Sequence, residues 1–203
     1  MAAQFDLSMN GLMHRAFLRD FERSANAVRT DRWDAAVTRW TLVAGLLHQH
    51  HEHEDEHLWP AMLSRITDPA DRAVVEAMET EHAALAEAIE ACQKDFSGPR
   101  PTDGQGRASV VEHVERLAAV LAEHTSHEES QGEALIQRYV TPAEFKAFVK
   151  SARNTEYRMV VMPWIADGAT PQDAAKAWGH IPGPVRLFLR PRMERKYLSV
   201  IVG

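Results

Sequence analysis

The sequence is poor in the features that mark several protein classes. Its single cysteine, Cys92, has no internal partner, so no disulfide framework is available and nothing points to an oxidising compartment. No apolar run approaches the roughly 20 residues needed to span a bilayer, so no transmembrane segment is expected. A basic excess is also missing. Lys and Arg total 23 against 29 Asp and Glu, and a net charge of −6 has the wrong sign for gripping phosphates, so no nucleic-acid partner is expected. The opening residues, MAAQFDLSMNGLMHRAF, lack a basic stretch followed by an unbroken apolar core, so no signal peptide is expected. These absences lead to the expectation of a cytoplasmic protein, a monomer or homodimer. Its 203 residues suffice for one packed domain with an appendage.

Histidine is what the chain has in excess. There are eleven, and five of them lie between His48 and His57. Residues 50–60, HHEHEDEHLWP, hold two overlapping patterns. His53-Glu54-Asp55-Glu56-His57 matches H-E-x-x-H, in which two histidines bind zinc and the glutamate acts as a base. His50-x-x-x-Glu54 places an imidazole and a carboxylate one helical turn apart, as a metal inside a helix bundle needs. The surrounding chain separates these patterns.

Asp68-Pro69-Ala70-Asp71, Thr141-Pro142-Ala143-Glu144 and Thr170-Pro171-Gln172-Asp173 each combine a capping side chain, a proline at the first helical position and an acid at the third. Between these signals apolar residues recur at steps of three and four, with few β-branched runs and little alternation, which predicts helix throughout. The expected helices cover 6–29, 33–66 (bent at Pro60), 69–96, 107–139, 142–162 and 171–180. The fold class is therefore all-α: an up-down-up-down four-helix bundle over residues 1–140 with a C-terminal helical extension over 141–203. That extension ends in a proline-interrupted tail, residues 182–203, with five basic residues and one acid.

The second and fourth expected helices superpose with an offset of 74 residues. Val43, Leu46, Leu47, His50, His53, Glu54 and His57 fall against Leu117, Val120, Leu121, His124, His127, Glu128 and Gln131. Each copy runs an apolar seam into a histidine and then an acid, on one helical face. The second copy keeps His-x-x-x-Glu and loses H-E-x-x-H, which favours the bundle reading. The first helix carries His14 on a seam with Phe17, Leu18 and Phe21. The third carries His82 on a seam with Met78, Leu85 and Ile89. Four imidazoles and two carboxylates are costly to bury unpaired, but they suit two metal ions that a carboxylate can bridge. The candidate ligands are His14, His50, Glu54, His82, His124 and Glu128. His48 and His51 lie off the His50 face and are expected at the surface, and Glu52, Asp55, Glu56, Glu129 and Glu133 are expected on solvated faces.

With these residues in place, the sequence resembles the hemerythrin-like family, the HHE cation-binding domain, over about residues 6–139. The most specific parts are His50-x-x-x-Glu54-Asp55 running into Leu58-Trp59-Pro60, and His124-x-x-x-Glu128-Glu129. The resemblance implies a non-haem di-iron centre, two iron ions, that meets dioxygen, peroxide or nitric oxide. Two departures stand out. Oxygen-carrying members have a second third-helix histidine where this chain has Ala86, and their fourth-helix carboxylate lies five residues after its histidine, where Glu129 rather than Glu128 falls. Candidates for the missing ligand are His53, His127, Tyr157 or water; Glu129 is a further candidate for an extra ligand or a place beside the centre, and His53 and His127 are otherwise expected there rather than on the metal. An open position favours reaction over reversible carriage, which points to peroxide decomposition or oxidase chemistry. Two other classes remain: a metal- or redox-sensing interaction module, and a zinc metallopeptidase using His53 and His57.

Overall fold

A computed structural model describes residues 5–153 and 156–201. Ten α-helices, two π-helical turns and one 3₁₀ turn make up its regular structure, with no strand among the described residues. Four long helices dominate: α1 (Ser8–Arg29), α2 (Trp33–His53), α4 (Pro69–Ser97) and α5 (Gly104–His127). Helix α1 packs on α2 and α5, and α4 packs on α5 and, less extensively, on α2. The three start signals all operate. Asp68 accepts from the Ala70 N–H at 2.8 Å, Thr170 accepts from the Asp173 N–H at 3.1 Å, and Thr141 and Glu144 form a reciprocal capping box.

The second and fourth expected helices are each interrupted at the same repeat position. In the first copy a π turn, Glu54–Leu58, separates α2 from α3 (Trp59–Leu63), and the Trp59 N–H donates to the Glu54 carbonyl five residues back. In the second, a π turn over Glu128–Gly132 separates α5 from α6 (Glu133–Tyr139), and the Glu133 N–H donates to the Glu128 carbonyl. The sequence led us to expect a bend at Pro60 alone. Proline is not the common cause, because the second copy has Ala134 at the matching place. What the two turns share is a buried glutamate at their start, and π turns inside α-helices gather at functional sites.

The polar positions divide the interior into two apolar parts. One cluster includes Phe17, Phe21, Trp40, Leu47, Leu85, Cys92, Leu117 and Leu121. The other includes Leu58, Trp59, Met62, Val75, Met78, Leu135 and Ile136. Along α4, for example, Met78 belongs to the second cluster and Leu85 to the first, and His82 lies between them.

Beyond α6, helix α7 (Pro142–Arg153) packs on α2 and the first π turn, followed by a 3₁₀ turn (Glu156–Met159) and α8 (Val161–Ala166). The expected single helix over 142–162 is therefore divided. Helix α9 (Pro171–Gly179) follows, and the tail that was expected to be broken by proline is instead a 19-residue helix, α10 (Gly183–Ile201), with Pro191 inside it. Tertiary anchors outweigh the proline penalty: Met193 and Tyr197 are buried, and the Tyr197 hydroxyl donates to Asp167 at 2.7 Å.

A buried carboxylate fastens α8 to the bundle. Asp20 accepts from the Trp164 indole N–H (2.6 Å) and from Arg39 (2.8 Å), with Arg19 and Arg23 also in range. Asp20→Ala leaves the indole N–H unpaired and three arginines without their shared anion. Because those arginines retain some solvent, we expect a loss of roughly 2–4 kcal/mol, below the 3–5 typical of a fully buried pair. Thermal unfolding should show a midpoint lower by about 5–15 °C. An unchanged midpoint would mean that this cluster contributes nothing to holding α8.

Candidate metal centre

The six predicted side chains converge. His14, Glu54, His82, His124 and Glu128 are buried, and His50 is nearly so. The Nε2 atoms of His14 and His50 lie 3.1 Å apart, and those of His82 and His124 lie 3.2 Å apart. Each glutamate reaches both pairs. Glu54 stands 3.4 Å from His50 Nε2 with one oxygen and 3.8 Å from His82 Nε2 with the other. Glu128 Oε2 stands 3.3 Å from His14 Nε2 and 3.9 Å from His124 Nε2. Both glutamates thus lie between the two histidine pairs.

A seventh residue joins them. His51, expected at the surface, is buried, its ring centroid 4.3 Å from that of His82 and 5.3 Å from that of His124. The helical wheel put His51 about 100° away from His50, and that angle holds. In a bundle, however, α2 touches α1 on one side and α4 on the other, so consecutive residues face two different interiors. His50 meets His14 on α1, and His51 meets His82 on α4 and His124 on α5. The ligand atoms of His14, His50 and Glu128 all lie within 4.8 Å of one another, and so do those of His51, His82 and His124 and those of His50, His51 and Glu54. His53 and His127, two of the expected substitutes for the missing third-helix histidine, join none of these groups, and the third, Tyr157, lines one cavity with His50, Glu54 and Glu128.

A ring of outer carboxylates orients the imidazoles. His14 Nδ1 lies 2.7 Å from Glu129, His82 Nδ1 lies 2.7 Å from Asp55, and His124 Nδ1 lies 2.9 Å from Glu81. Holding a proton on Nδ1 turns the Nε2 lone pair toward the centre. Asp55 and Glu129 occupy equivalent places in the two repeats, so the duplication includes these outer partners. Asp55 was expected only on a solvated face and Glu129 there or beside the centre, and both keep solvent contact while each engages a histidine. Glu81 was given no role of its own from the sequence. It holds His124 with one oxygen and His127 (2.7 Å) with the other. Asn10, also unforeseen, donates to Glu128 Oε1 at 2.9 Å and leaves Oε2 directed at the histidines.

The H-E-x-x-H histidines behave differently. The His53 Nδ1–H donates to the Gln49 carbonyl of its own helix at 2.5 Å, and the His57 side chain is 41% exposed. Neither shares a ligand group with Glu54, whose carboxylate faces the inner histidines.

Burial and mutual charge set the protonation of the centre. Burial alone would lower the pKa of His14, but Glu128 and Glu129 outweigh it and raise it to about 9. Glu128 is raised by burial, yet the surrounding histidines, His14 foremost, hold it down to about 2. Burial, and then the positive charge of His14, lower His50 to about 3. Burial likewise keeps His51 well below the ordinary histidine value and lifts Glu54 well above the ordinary carboxylate value, helped by the charge on Glu128. Without a cation, these shifts favour one His14–Glu128 ion pair, with burial disfavouring charge on His50, His51 and Glu54.

The donor set fits metal ions on a further observation. His51 Nε2 and Glu54 Oε2 are buried and accept or donate no hydrogen bond, and Glu128 Oε2 has only its ion pair with His14. Such atoms in one place are costly without a partner, and a cation reached by imidazole and carboxylate donors satisfies them together. Carboxylates facing two imidazole groups allow two such ions.

No curated relative and no solved structure matches the chain. The family model of the hemerythrin HHE cation binding domain matches residues 12–132. That span covers all seven convergent residues and more than half of the sequence, and the chain therefore belongs to the hemerythrin HHE cation-binding family.

Proposed function

We propose that the protein is a non-haem di-iron protein that binds or reacts with a small oxidant. In this reading residues 1–140 form an up-down-up-down bundle. One iron would be held by His14, His50 and Glu128 and the other by His51, His82 and His124, with Glu54 and Glu128 facing both groups. The observation that carries the reading is the pairing of two ligand groups across two glutamates that each face both. Imidazole and carboxylate donors together suit iron, and the family is one of cation binders. Two iron ions in such a site supply electrons to, or reversibly bind, dioxygen, hydrogen peroxide or nitric oxide.

The chain's own contribution is to fix and protect. Glu129, Asp55 and Glu81 set the imidazole orientations, and Asn10 sets that of Glu128. The two π turns bring Glu54 and Glu128 inward, and the apolar clusters on either side keep bulk water from the ligands. His51 fills the role left open by Ala86, so each ion has two or three imidazoles.

Optical spectroscopy tests this reading. Protein from iron-replete cells should show near-ultraviolet absorption that bleaches on reduction and returns when dioxygen or peroxide is admitted, and Glu54→Ala should abolish it. A protein without such absorption, or with a spectrum indifferent to reduction and to all three oxidants, would refute the proposal.

A further inference from the structure

Helix α10 is apolar on two opposite sides. Toward the body it buries Met193 and Tyr197, and Arg186 on the same side donates to the Trp178 carbonyl at 3.0 Å. Its outer side is apolar as well. Among the described residues four large hydrophobic side chains stand exposed, Val185, Leu187, Phe188 and Leu198, and all four belong to α10. A helix apolar all round is ordinarily enclosed, and this one is covered on one side. With Leu187 72% and Phe188 66% exposed, these side chains project from the helix rather than line a groove.

The outer side is also cationic. At about 100° per residue, Leu187 and Leu198 fall within about 20° of one another, and beyond them Arg195, Arg192 and Lys196 alternate with Phe188 and Val185. The stripe from Val185 to Leu198 is about 20 Å long at 1.5 Å per residue. Five of the chain's 23 lysines and arginines lie on α10. Its single acid, Glu194, lies off this arc in an ion pair with Arg190 at 2.7 Å. The whole chain carries a net charge of −6, so the remainder is more acidic still.

We infer that the outer side of α10 docks on an anionic lipid bilayer, with Leu187, Phe188 and Leu198 entering the headgroup layer and Arg192, Arg195 and Lys196 on its phosphates. Charge complementarity selects this occupant. In a two-fold contact with a second copy, α10 would meet α10. The three cations of each would then face those of the other, and α10 supplies no acid there to pair them. A bilayer offers negative charge along the whole stripe and a yielding apolar layer for side chains that project. Arginine and lysine stems lie along such a surface while their heads reach the phosphates. The same surface repels the acidic remainder, so the molecule approaches with α10 foremost. No described helix is long and apolar enough to cross a membrane, and the attachment inferred is to the surface.

Vesicle flotation of the protein as purified tests this, comparing vesicles of equal parts phosphatidylglycerol and phosphatidylcholine with vesicles of phosphatidylcholine alone. The mixed vesicles should bind the protein. Binding should be about tenfold weaker or worse without phosphatidylglycerol, or when salt rises from about 0.1 to about 1 M. Leu187→Ser with Phe188→Ser, and separately Arg192→Gln with Arg195→Gln, should each weaken binding by about tenfold or more. Metal content and thermal midpoint should stay unchanged in both, because these side chains are exposed. Lys94→Gln with Arg116→Gln, exposed on α4 and α5, removes the same charge and should leave binding intact. Absence of binding to the mixed vesicles, equal binding to phosphatidylcholine, undiminished binding in either α10 variant, or an equal loss in the Lys94 and Arg116 variant would overturn the inference. A dimer that Leu187→Ser with Phe188→Ser makes monomeric, in a protein that ignores vesicles, would assign this side to a second copy instead.

Discussion

His51→Ala should reduce bound metal from two ions per chain to about one. The remaining ion should be the one assigned to His14, His50 and Glu128, because His51 shares its site with His82 and His124. Losing a directly bound imidazole should weaken that site by roughly 100-fold or more, at or beyond the upper end of the 10–100-fold seen when only an outer partner is lost. Folding should survive, since the alanine removes a buried nitrogen that has no hydrogen-bond partner in the metal-free protein. His57→Ala is the control. Its side chain is 41% exposed and the second repeat has Gln131 at that place, so both ions should remain. Elemental analysis of the two purified variants distinguishes them. Full loading of His51→Ala, or loss of metal in His57→Ala, would remove His51 from the ligand set and revive the peptidase pattern.

Chelation should lower the thermal midpoint by roughly 10–20 °C. A site held at 100 times its dissociation constant stabilises the folded state by about 2.7 kcal/mol, and two such sites by about 5. For a chain of this length each kcal/mol corresponds to about 2–4 °C. The structural cause is visible in the centre: removing the cations leaves His51 Nε2 and Glu54 Oε2 buried without partners. The polar layer lies between two apolar clusters, so loosening it should affect both. Equal midpoints with and without chelator, followed by circular dichroism, would mean that no ion contributes to the fold.

Much of this was legible in the sequence because it was written periodically. Proline after a capping residue marked the starts of α4, α7 and α9 within a residue, and apolar seams located the four long helices. The 74-residue repeat separated the bundle pattern from H-E-x-x-H before any coordinates. What stayed hidden depended on neighbours. A helical wheel assigns each helix one inner face, whereas α2 has two helices beside it, so His51 was placed outside. Asp55 was assigned to solvent because acids near a helix surface usually face it, and nothing in its spacing shows which histidine on another helix lies within reach. The π turns at Glu54 and Glu128 left no mark in composition, although their recurrence at one repeat position is a signal that an internal duplication offers. Pro191 was given more weight than it has in place, because local chain preferences do not register the anchoring of Met193 and Tyr197.

The central claim is that two groups of ligands on four helices, joined by Glu54 and Glu128, hold two iron ions. The most direct measurement is the metal content of the wild-type protein from iron-replete cells, purified without added metal and referred to an amino-acid analysis of the same sample. Two irons per chain are expected. A single ion per chain, or zinc in preference to iron, would contradict the account.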